Sequence, residues 1–222
     1  MIPKNSKNDG RQVWLNVASG RYVVEGFINL DYNRYLILSY LPLFFLKIFL
    51  NNERIELVKK YWEARLKAGL KVFNCRKPLP FSPESVDHIL CSHFIEHVSF
   101  NEAFAILKGF NQILKKGKTL HLIVPDIESR VSNYCNNIKD PEAANTLLDS
   151  LSLGRRGKAG FFVRLLELTG SYGAQHRWMY DKYSISAILQ NCDFEIMESN
   201  ESPSSFFRKD DVGQINLLAR KI

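Results

Sequence analysis

The sequence predicts an α/β fold with a mainly parallel sheet, in a single domain that spans residues 1–222. Short apolar runs typical of strands alternate along the chain with longer amphipathic stretches typical of helices. Small or polar residues follow several of these runs, at the points where a parallel sheet places its ligands. A hydrophobic content of 45% with 24% charged residues is ordinary for a globular chain with one core.

Strands are predicted where a short apolar run ends at a turn-forming or polar residue. These runs are 12–17, 27–31, 70–74, 86–91, 119–125, and the two closing segments "FEIMESN" and "QINLLARKI". An amphipathic helix is predicted over 100–115, with Ser99 or Asn101 as its cap, and a second over 180–191. "KKGK" is interpreted as the turn before the strand that stops at Pro125. Residues 127–175 are predicted to form a helical and loop insertion.

The segment 35–50, "YLILSYLPLFFLKIFL", is apolar on every side of a helical wheel and begins a helical insertion at about 35–67. A spanning helix needs roughly 20 apolar residues, and this run is shorter, with Pro42 and Lys47 inside it. Three interpretations remain: a buried helix, a contact with a second copy of the chain, or a helix lying on a membrane or lipid-like substrate. Burial is favoured, but a small domain rarely hides such a helix completely, so partial exposure stays open.

The net charge of +7 suggests an anionic partner, but the basic residues are spread out rather than clustered. We therefore expect no nucleic-acid partner. None of the four cysteines forms a C-x-x-C pair, which predicts reduced thiols. The first residues lack the apolar core of a secretion signal, so a cytoplasmic protein is expected, peripheral to a membrane if 35–50 binds one.

The polar residues that follow the strands predict a ligand site, because parallel strands end at the same edge of a sheet. Ala18, Ser19 and Gly20 follow the first strand, where small residues let the backbone approach a ligand closely. Asp31 ends the second, where an acid can accept hydrogen bonds from two ribose hydroxyls. Asn74 follows the third.

"SHFIEH", residues 92–97, contains H-x-x-E-H, one of the zinc-protease signatures. In such proteases the motif lies within a helix, so that both histidines project from one face. Here His93 directly follows a predicted strand, and only Glu167 offers itself as a third ligand. We therefore expect no metal.

Four blocks of the sequence resemble the class I S-adenosylmethionine-dependent methyltransferases, in particular a small branch associated with polysaccharide and glycosyl-transfer pathways. The blocks are "LNVASGRYVVEGFINLD", "RKPLPFSPESVDHILCSHFIEHV", "AFAILKGFNQILKKGKTLHLIVPD" and "HRWMYDKYSISAILQNCDF". The resemblance implies a Rossmann-like sheet with helices on both faces and an antiparallel last strand. It also implies a reduced first crossover helix, because only residues 21–26 separate the glycine loop from the second strand.

The resemblance implies S-adenosylmethionine as cofactor, with polysaccharide biosynthesis as the setting. The implied cofactor-binding residues, all next to strand ends, are Ala18, Ser19, Gly20, Asp31, Asn74, Cys75, Ser92 and His93. Ala18 stands where the family has its first loop glycine, and Asn74 where it commonly has an adenine-contacting Asp. These departures and the short first link raise an alternative, a non-catalytic module that binds cofactor weakly or not at all.

Histidine has a pKa suited to taking a proton from a hydroxyl acceptor. His176 is the first candidate for this catalytic base and His93 the second. Trp178 and Tyr180 are candidates for stacking on a sugar, with plain packing as the favoured interpretation. The expected acceptor is a small molecule or saccharide.

Overall fold

The computed structural model describes residues 12–153, 175–197 and 213–222. Within these ranges the chain forms one seven-stranded sheet. The strands are β1 (Trp14–Val17), β2 (Ile28–Asp31), β3 (Lys71–Val72), β4 (Val86–Ser92), β5 (Leu114–Pro125), β6 (Phe194–Met197) and β7 (Gln214–Lys221). Each predicted strand is present, though β3 is shorter than its apolar run.

The sheet order is β3-β2-β1-β4-β5-β7-β6. The pairs among β1 to β5 are parallel, and β7 runs antiparallel to both β5 and β6. This confirms the predicted Rossmann-like sheet and its antiparallel last strand. Because β2 and β4 lie on opposite sides of β1, the strand order reverses there, and a crevice is expected beyond its carboxyl end.

Three helices fill the connection from β2 to β3: α1 (Arg34–Leu38), α2 (Leu43–Phe49) and α3 (Asn52–Ala68). The others are α4 (Phe100–Ile113), α5 (Ile127–Asn136), α6 (Ala143–Ser150) and α7 (Lys182–Asn191), with a short 3-10 helix at Ile95–His97. Of the two predicted caps for α4, Ser99 is the one used. Its side chain accepts from the Glu102 N–H, and the Glu102 side chain accepts from the Ser99 N–H.

The predicted turn "KKGK" lies inside β5 rather than before it. Gly117 adopts a φ of 74° there, and the pairing of β4 with β5 shifts register between Val86 and His88. The extra residues form an irregularity in the strand, since a glycine in this conformation bends the chain without ending the ladder. Lys115 in this bend places its ammonium 2.9 Å from the Asp87 carboxylate.

No helix forms between β1 and β2, which confirms the predicted reduction of the first crossover. Two buried asparagines hold this link. Asn29 Oδ1 accepts from Asn16 Nδ2 at 2.8 Å and from the Val24 N–H at 2.9 Å, and its Nδ2 donates to the carbonyls of Val24 and Phe27. A side-chain amide thus satisfies backbone groups that a helix would otherwise have paired.

The expectation that segment 35–50 is buried is wrong; its partial exposure is confirmed. The segment breaks into α1 and α2, and Phe44, Ile48 and Phe49 are 74%, 70% and 68% exposed. Only one residue of each helix, Leu36 and Leu46, lies in the core. Among the described helices, none combines the length and the apolar character that crossing a bilayer requires.

Candidate functional site

The loop after β1 forms a tight turn at the edge of the sheet. Ala18 and Gly20 both adopt left-handed backbone conformations, with φ of 53° and 56°. The Ser19 N–H donates to the Leu30 carbonyl at 3.0 Å, which ties this turn to β2. An alanine in the left-handed conformation is strained by about 1 kcal/mol relative to glycine. Ala18 therefore lowers the stability of the folded chain by about that amount while the turn keeps its shape.

Asp31 is the last residue of β2, and its carboxylate is held by the backbone around it. It accepts hydrogen bonds from the N–H groups of Gly20 and Tyr32, while burial raises its pKa to about 6. Its Oδ2 is shielded from solvent and has no hydrogen-bond partner. Such an oxygen is costly to leave unsatisfied, and it is an oriented acceptor for a donor on a bound ligand.

Tyr61 of α3 lies beside this carboxylate, and the sequence did not single it out. Its Oη is 3.9 Å from the position that a Cβ on Gly20 would take. Burial, and secondarily the Asp31 carboxyl, raise the pKa of Tyr61, so its hydroxyl stays protonated. The one sequence signal was its helical spacing with Ile55 and Val58, which are also buried.

The residues after β3 join the same edge. The Phe73 N–H donates to the Asp31 carbonyl at 2.8 Å, and Asn74 Oδ1 accepts from the Arg76 N–H at 3.1 Å. The amide oxygen of Asn74 therefore closes a turn, and its second lone pair remains for a ligand. Cys75 is buried, which raises its pKa to about 12, and the Ala18 N–H bonds to its sulfur. Cys75 packs as a neutral thiol.

We call Ala18, Ser19, Gly20 and Asp31 the β1–β2 edge. A second group, the β4 cluster, contains His93, Glu96, His97 and His176. Cys91, near the end of β4, lies between Cys75 and the β4 cluster: burial raises the pKa of its thiol, and the Glu96 carboxyl and Cys75 add to that rise.

In the β4 cluster, Ser92 ends the strand and His93 follows in a left-handed conformation, with φ of 53°. The His93 N–H donates to the Ile123 carbonyl at 2.9 Å, and its Nδ1 lies 3.2 Å from Glu96 Oε1. The Glu96 side chain is fully buried, whereas that of His93 is 38% exposed. His93 therefore stands between a buried acid and solvent.

Residues 175–178 are held against this cluster from far along the chain. The N–H groups of Arg177 and Trp178 donate to the Glu96 carbonyl at 2.7 and 3.2 Å. His97 Nδ1 lies 3.1 Å from the Gln175 carbonyl oxygen, and the rings of His97 and His176 are 5.0 Å apart. The structure thus brings both predicted catalytic histidines, His93 and His176, to one place.

Burial lowers the pKa of His176, partly offset by the Glu96 carboxyl, so its imidazole is neutral at pH 7. Its Nδ1 is shielded and has no hydrogen-bond partner. Tyr180 is fully buried and is excluded as a stacking surface, whereas Trp178 is 47% exposed and lies 5.2 Å from the Phe100 ring. Glu167 lies outside the described residues.

Residues 44–122 match the family model described as "Methyltransferase domain", which is well under half of the chain. No curated protein matches it in sequence. A methyltransferase structure from Methanosarcina mazei, described as S-adenosylmethionine-dependent, aligns with a TM-score of 0.50 and 16% identity, over 94% of this chain and 92% of that one. A protein from Pyrococcus horikoshii aligns with a TM-score of 0.50 and 13% identity, over 97% and 84%.

At such identities the structural likeness shows the fold alone. The family match adds the domain type within residues 44–122. The chain is thus similar to a methyltransferase domain over residues 44–122 and shares the fold of an S-adenosylmethionine-dependent methyltransferase, and this similarity implies S-adenosylmethionine as cofactor.

Proposed function

We propose that this chain transfers a methyl group from S-adenosylmethionine to a hydroxyl of a small-molecule or saccharide acceptor. The observation that carries the proposal is the Asp31 carboxylate: oriented by two backbone N–H groups, with a shielded oxygen that has no partner. A ribose supplies two adjacent hydroxyl donors, which is what a carboxylate at the end of the second strand accepts in this fold.

The other residues of the β1–β2 edge fit the same ligand. The left-handed turn at Ala18 and Gly20 brings backbone rather than side chain to the carboxyl end of β1. Asn74 and Cys75 then border the base, and Ser92 and His93 border the methionine part. S-adenosylmethionine, when bound, supplies an electrophilic methyl group on a sulfonium.

The protein's own contribution to the reaction is positioning and proton removal. With the cofactor supplying the methyl group, the part left to this chain would be to hold the acceptor oxygen in line and to take the hydroxyl proton on a histidine. His176 is neutral and has a free Nδ1, and His93 reaches solvent, so each fits this role. The exposed ring pair of Trp178 and Phe100 is suited to packing against a sugar face, which supports a saccharide acceptor.

The alternative function is a non-catalytic module that keeps the fold and binds cofactor weakly or not at all. The strained turn at Ala18 favours the non-catalytic module, because the Cβ of Ala18 stands where the loop backbone would have to approach the cofactor closely. The free oxygen of Asp31 argues for the enzyme.

Calorimetric titration with S-adenosylmethionine separates the two. We expect saturable one-to-one binding that is weakened roughly tenfold to 100-fold in Asp31→Asn and unchanged in Asp140→Asn, a matched change in an exposed loop turn. Absence of binding to the unsubstituted chain at millimolar cofactor leaves the non-catalytic module. With binding established, methyl transfer from labelled cofactor to a panel of saccharides and phenols tests the acceptor class.

The exposed apolar residues of α1 and α2 support a separate proposal, that segment 35–50 contacts a membrane surface or a second copy of this chain. A cytoplasmic location at the membrane periphery, and a place in polysaccharide biosynthesis, remain proposals of the same kind. Liposome flotation combined with light scattering tests the contact. Replacing Phe44 and Ile48 by Ser is expected to abolish whichever association occurs, and a free monomer in both assays with the unsubstituted chain contradicts it.

A further inference from the structure

The β4 cluster contains more ligand chemistry than the proton transfer above requires. Glu96, His97 and His176 each offer one ligand atom, and the three atoms lie within 4.8 Å of one another. The sequence motif supplied the first two, and its geometry is not that of a helix face. The third ligand comes from 79 residues further on, held in place by the bonds of Arg177 and Trp178 to the Glu96 carbonyl.

Two shielded atoms in this cluster lack a partner, Glu96 Oε2 and His176 Nδ1. Glu96 is 0% exposed, and its other oxygen is already bonded to His93. A fully buried carboxylate costs several kcal/mol unless a charge or a set of donors compensates it, and one histidine at 3.2 Å satisfies only half of the group. A cation bound to Glu96 Oε2 would remove the free-energy cost of leaving that oxygen buried without a partner.

His97 is oriented as metal-binding histidines usually are. Its Nδ1 lies 3.1 Å from the Gln175 carbonyl oxygen, to which it donates, and this leaves the Nε2 lone pair available. His93 holds Glu96 in the same way, through Oε1. The side chains that would ligate a metal are thus supported by a second set of hydrogen bonds.

We propose that Glu96, His97 and His176 bind one divalent transition-metal ion, and that zinc is the best match. Two imidazoles and one carboxylate are a donor set of catalytic zinc sites, which keep a further coordination position open. Ligand atoms of a tetrahedral zinc site lie about 3.3 Å apart, given bonds of about 2.0–2.1 Å. The three ligand atoms lie within 4.8 Å of one another, and side-chain rotations that move each atom by an ångström or so bring them to the zinc-site spacing.

The role of the metal rests on the proposed function. The open position would take the acceptor oxygen and lower the pKa of its hydroxyl, so that the proton leaves before or during methyl transfer. His176, as a ligand, would then have no lone pair for catalysis. His93 would accept the proton instead, since its side chain is 38% exposed and lies next to the ligand Glu96.

The test uses the full chain stripped of metal with a chelator, then titrated with zinc by calorimetry against a competing chelator. We expect one zinc per chain. Glu96→Gln and His176→Gln should each weaken binding about 100-fold or more, beyond what loss of an outer-shell contact gives. His88→Gln is the matched control: it removes a histidine from β4 that bonds to Thr119 and belongs to the opposite part of the strand.

Cobalt(II) gives a readout that requires no activity. Cobalt(II) bound by two imidazoles and one carboxylate at a low coordination number should absorb visible light strongly. Both variants should lose this absorption, and the control should keep it. Equal zinc affinity in the unsubstituted chain and both variants, or cobalt bands no stronger than those of the aqueous ion, overturns the site. Circular dichroism checks folding, and His176→Gln, on a loop, serves if Glu96→Gln does not fold.

Cofactor titration of the metal-free chain separates this inference from the proposed function. Zinc binding without S-adenosylmethionine binding supports the site and removes the methyltransferase proposal. Cofactor binding without zinc binding does the reverse.

Discussion

The β1–β2 edge and the β4 cluster are two parts of one sheet edge, and each has a non-glycine residue in the left-handed region next to an acid with an unpartnered oxygen. In the first, the backbone holds Asp31, through the N–H groups of Gly20 and Tyr32. In the second, side chains hold Glu96, and the third ligand, His176, comes from a distant segment. An acid held by local backbone suits a neutral polar ligand, whereas one surrounded by imidazoles suits a cation.

The largest expected effect is on the stability of the β1–β2 edge. Asn29→Ala removes the hydrogen bonds that this buried amide makes with Val24, Phe27 and Asn16, so we expect a loss of about 3–5 kcal/mol in the free energy of unfolding. Urea unfolding measures it, with the exposed Asn145→Ala as a control expected to change stability by less than about 0.5 kcal/mol. A comparably small change in Asn29→Ala would mean that the link does not depend on this amide.

Asp31→Asn should change binding and stability in opposite directions. We expect cofactor affinity to fall roughly tenfold to 100-fold, the effect of losing a charged acceptor. The cofactor-free protein should gain about 1–2 kcal/mol at pH 7, because a neutral amide avoids the cost of burying a carboxylate. Calorimetry and urea unfolding on the same preparation measure both. A variant that loses both affinity and stability would indicate a structural role for this carboxylate.

The raised pKa of Asp31 predicts a pH dependence for the same group. Its pKa is about 6 in the folded chain against an ordinary 3.8, so its contribution favours folding below pH 3.8 and is lost as pH rises through 6. Cofactor binding needs the ionised form and should weaken by up to about tenfold per unit below pH 6. Titrations at pH 5, 6 and 7 measure this, and Asp31→Asn should flatten the dependence. An unchanged slope in that variant would assign the proton to another group.

The smallest expected changes in stability come from replacing the two left-handed residues, Ala18 and His93, by glycine. Ala18→Gly relieves backbone strain and removes one methyl group that packs against the core, and we expect a net stabilisation of up to about 1 kcal/mol. His93→Gly removes similar strain but leaves both carboxylate oxygens of Glu96 without a partner, so we expect it to destabilise. Thermal unfolding of both variants at pH 7 compares them. Stabilisation in both would show that Glu96 does not need His93.

Strand positions could be predicted because each apolar run carries its own signal, and the cap at Ser99 because serine and Glu102 satisfy each other locally. The short first link was predictable from chain length alone. The burial of segment 35–50 was predicted wrongly because an all-round apolar pattern does not encode which elements cover it. "KKGK" was assigned to a turn because a register shift in a strand depends on the partner strand.

The candidate site divides in the same way. Asp31 and the loop of Ala18 and Gly20 could be found from the sequence, because their roles depend on the ends of adjacent strands. Tyr61 could not, since it comes from α3, and its distance to Gly20 depends on how that helix packs. The H-x-x-E-H motif places His93, Glu96 and His97 close together in the sequence, but nothing in it indicates that His176 joins them.

By itself, the sequence determined the strands, the acid at the end of β2 and the fold class, because hydrophobic period and turn chemistry act over a few residues. The tertiary structure alone decided that α2 is exposed and that His176 meets Glu96 and His97. Those outcomes depend on contacts between residues far apart in the chain, and their free energy comes from packing and burial that no local pattern records.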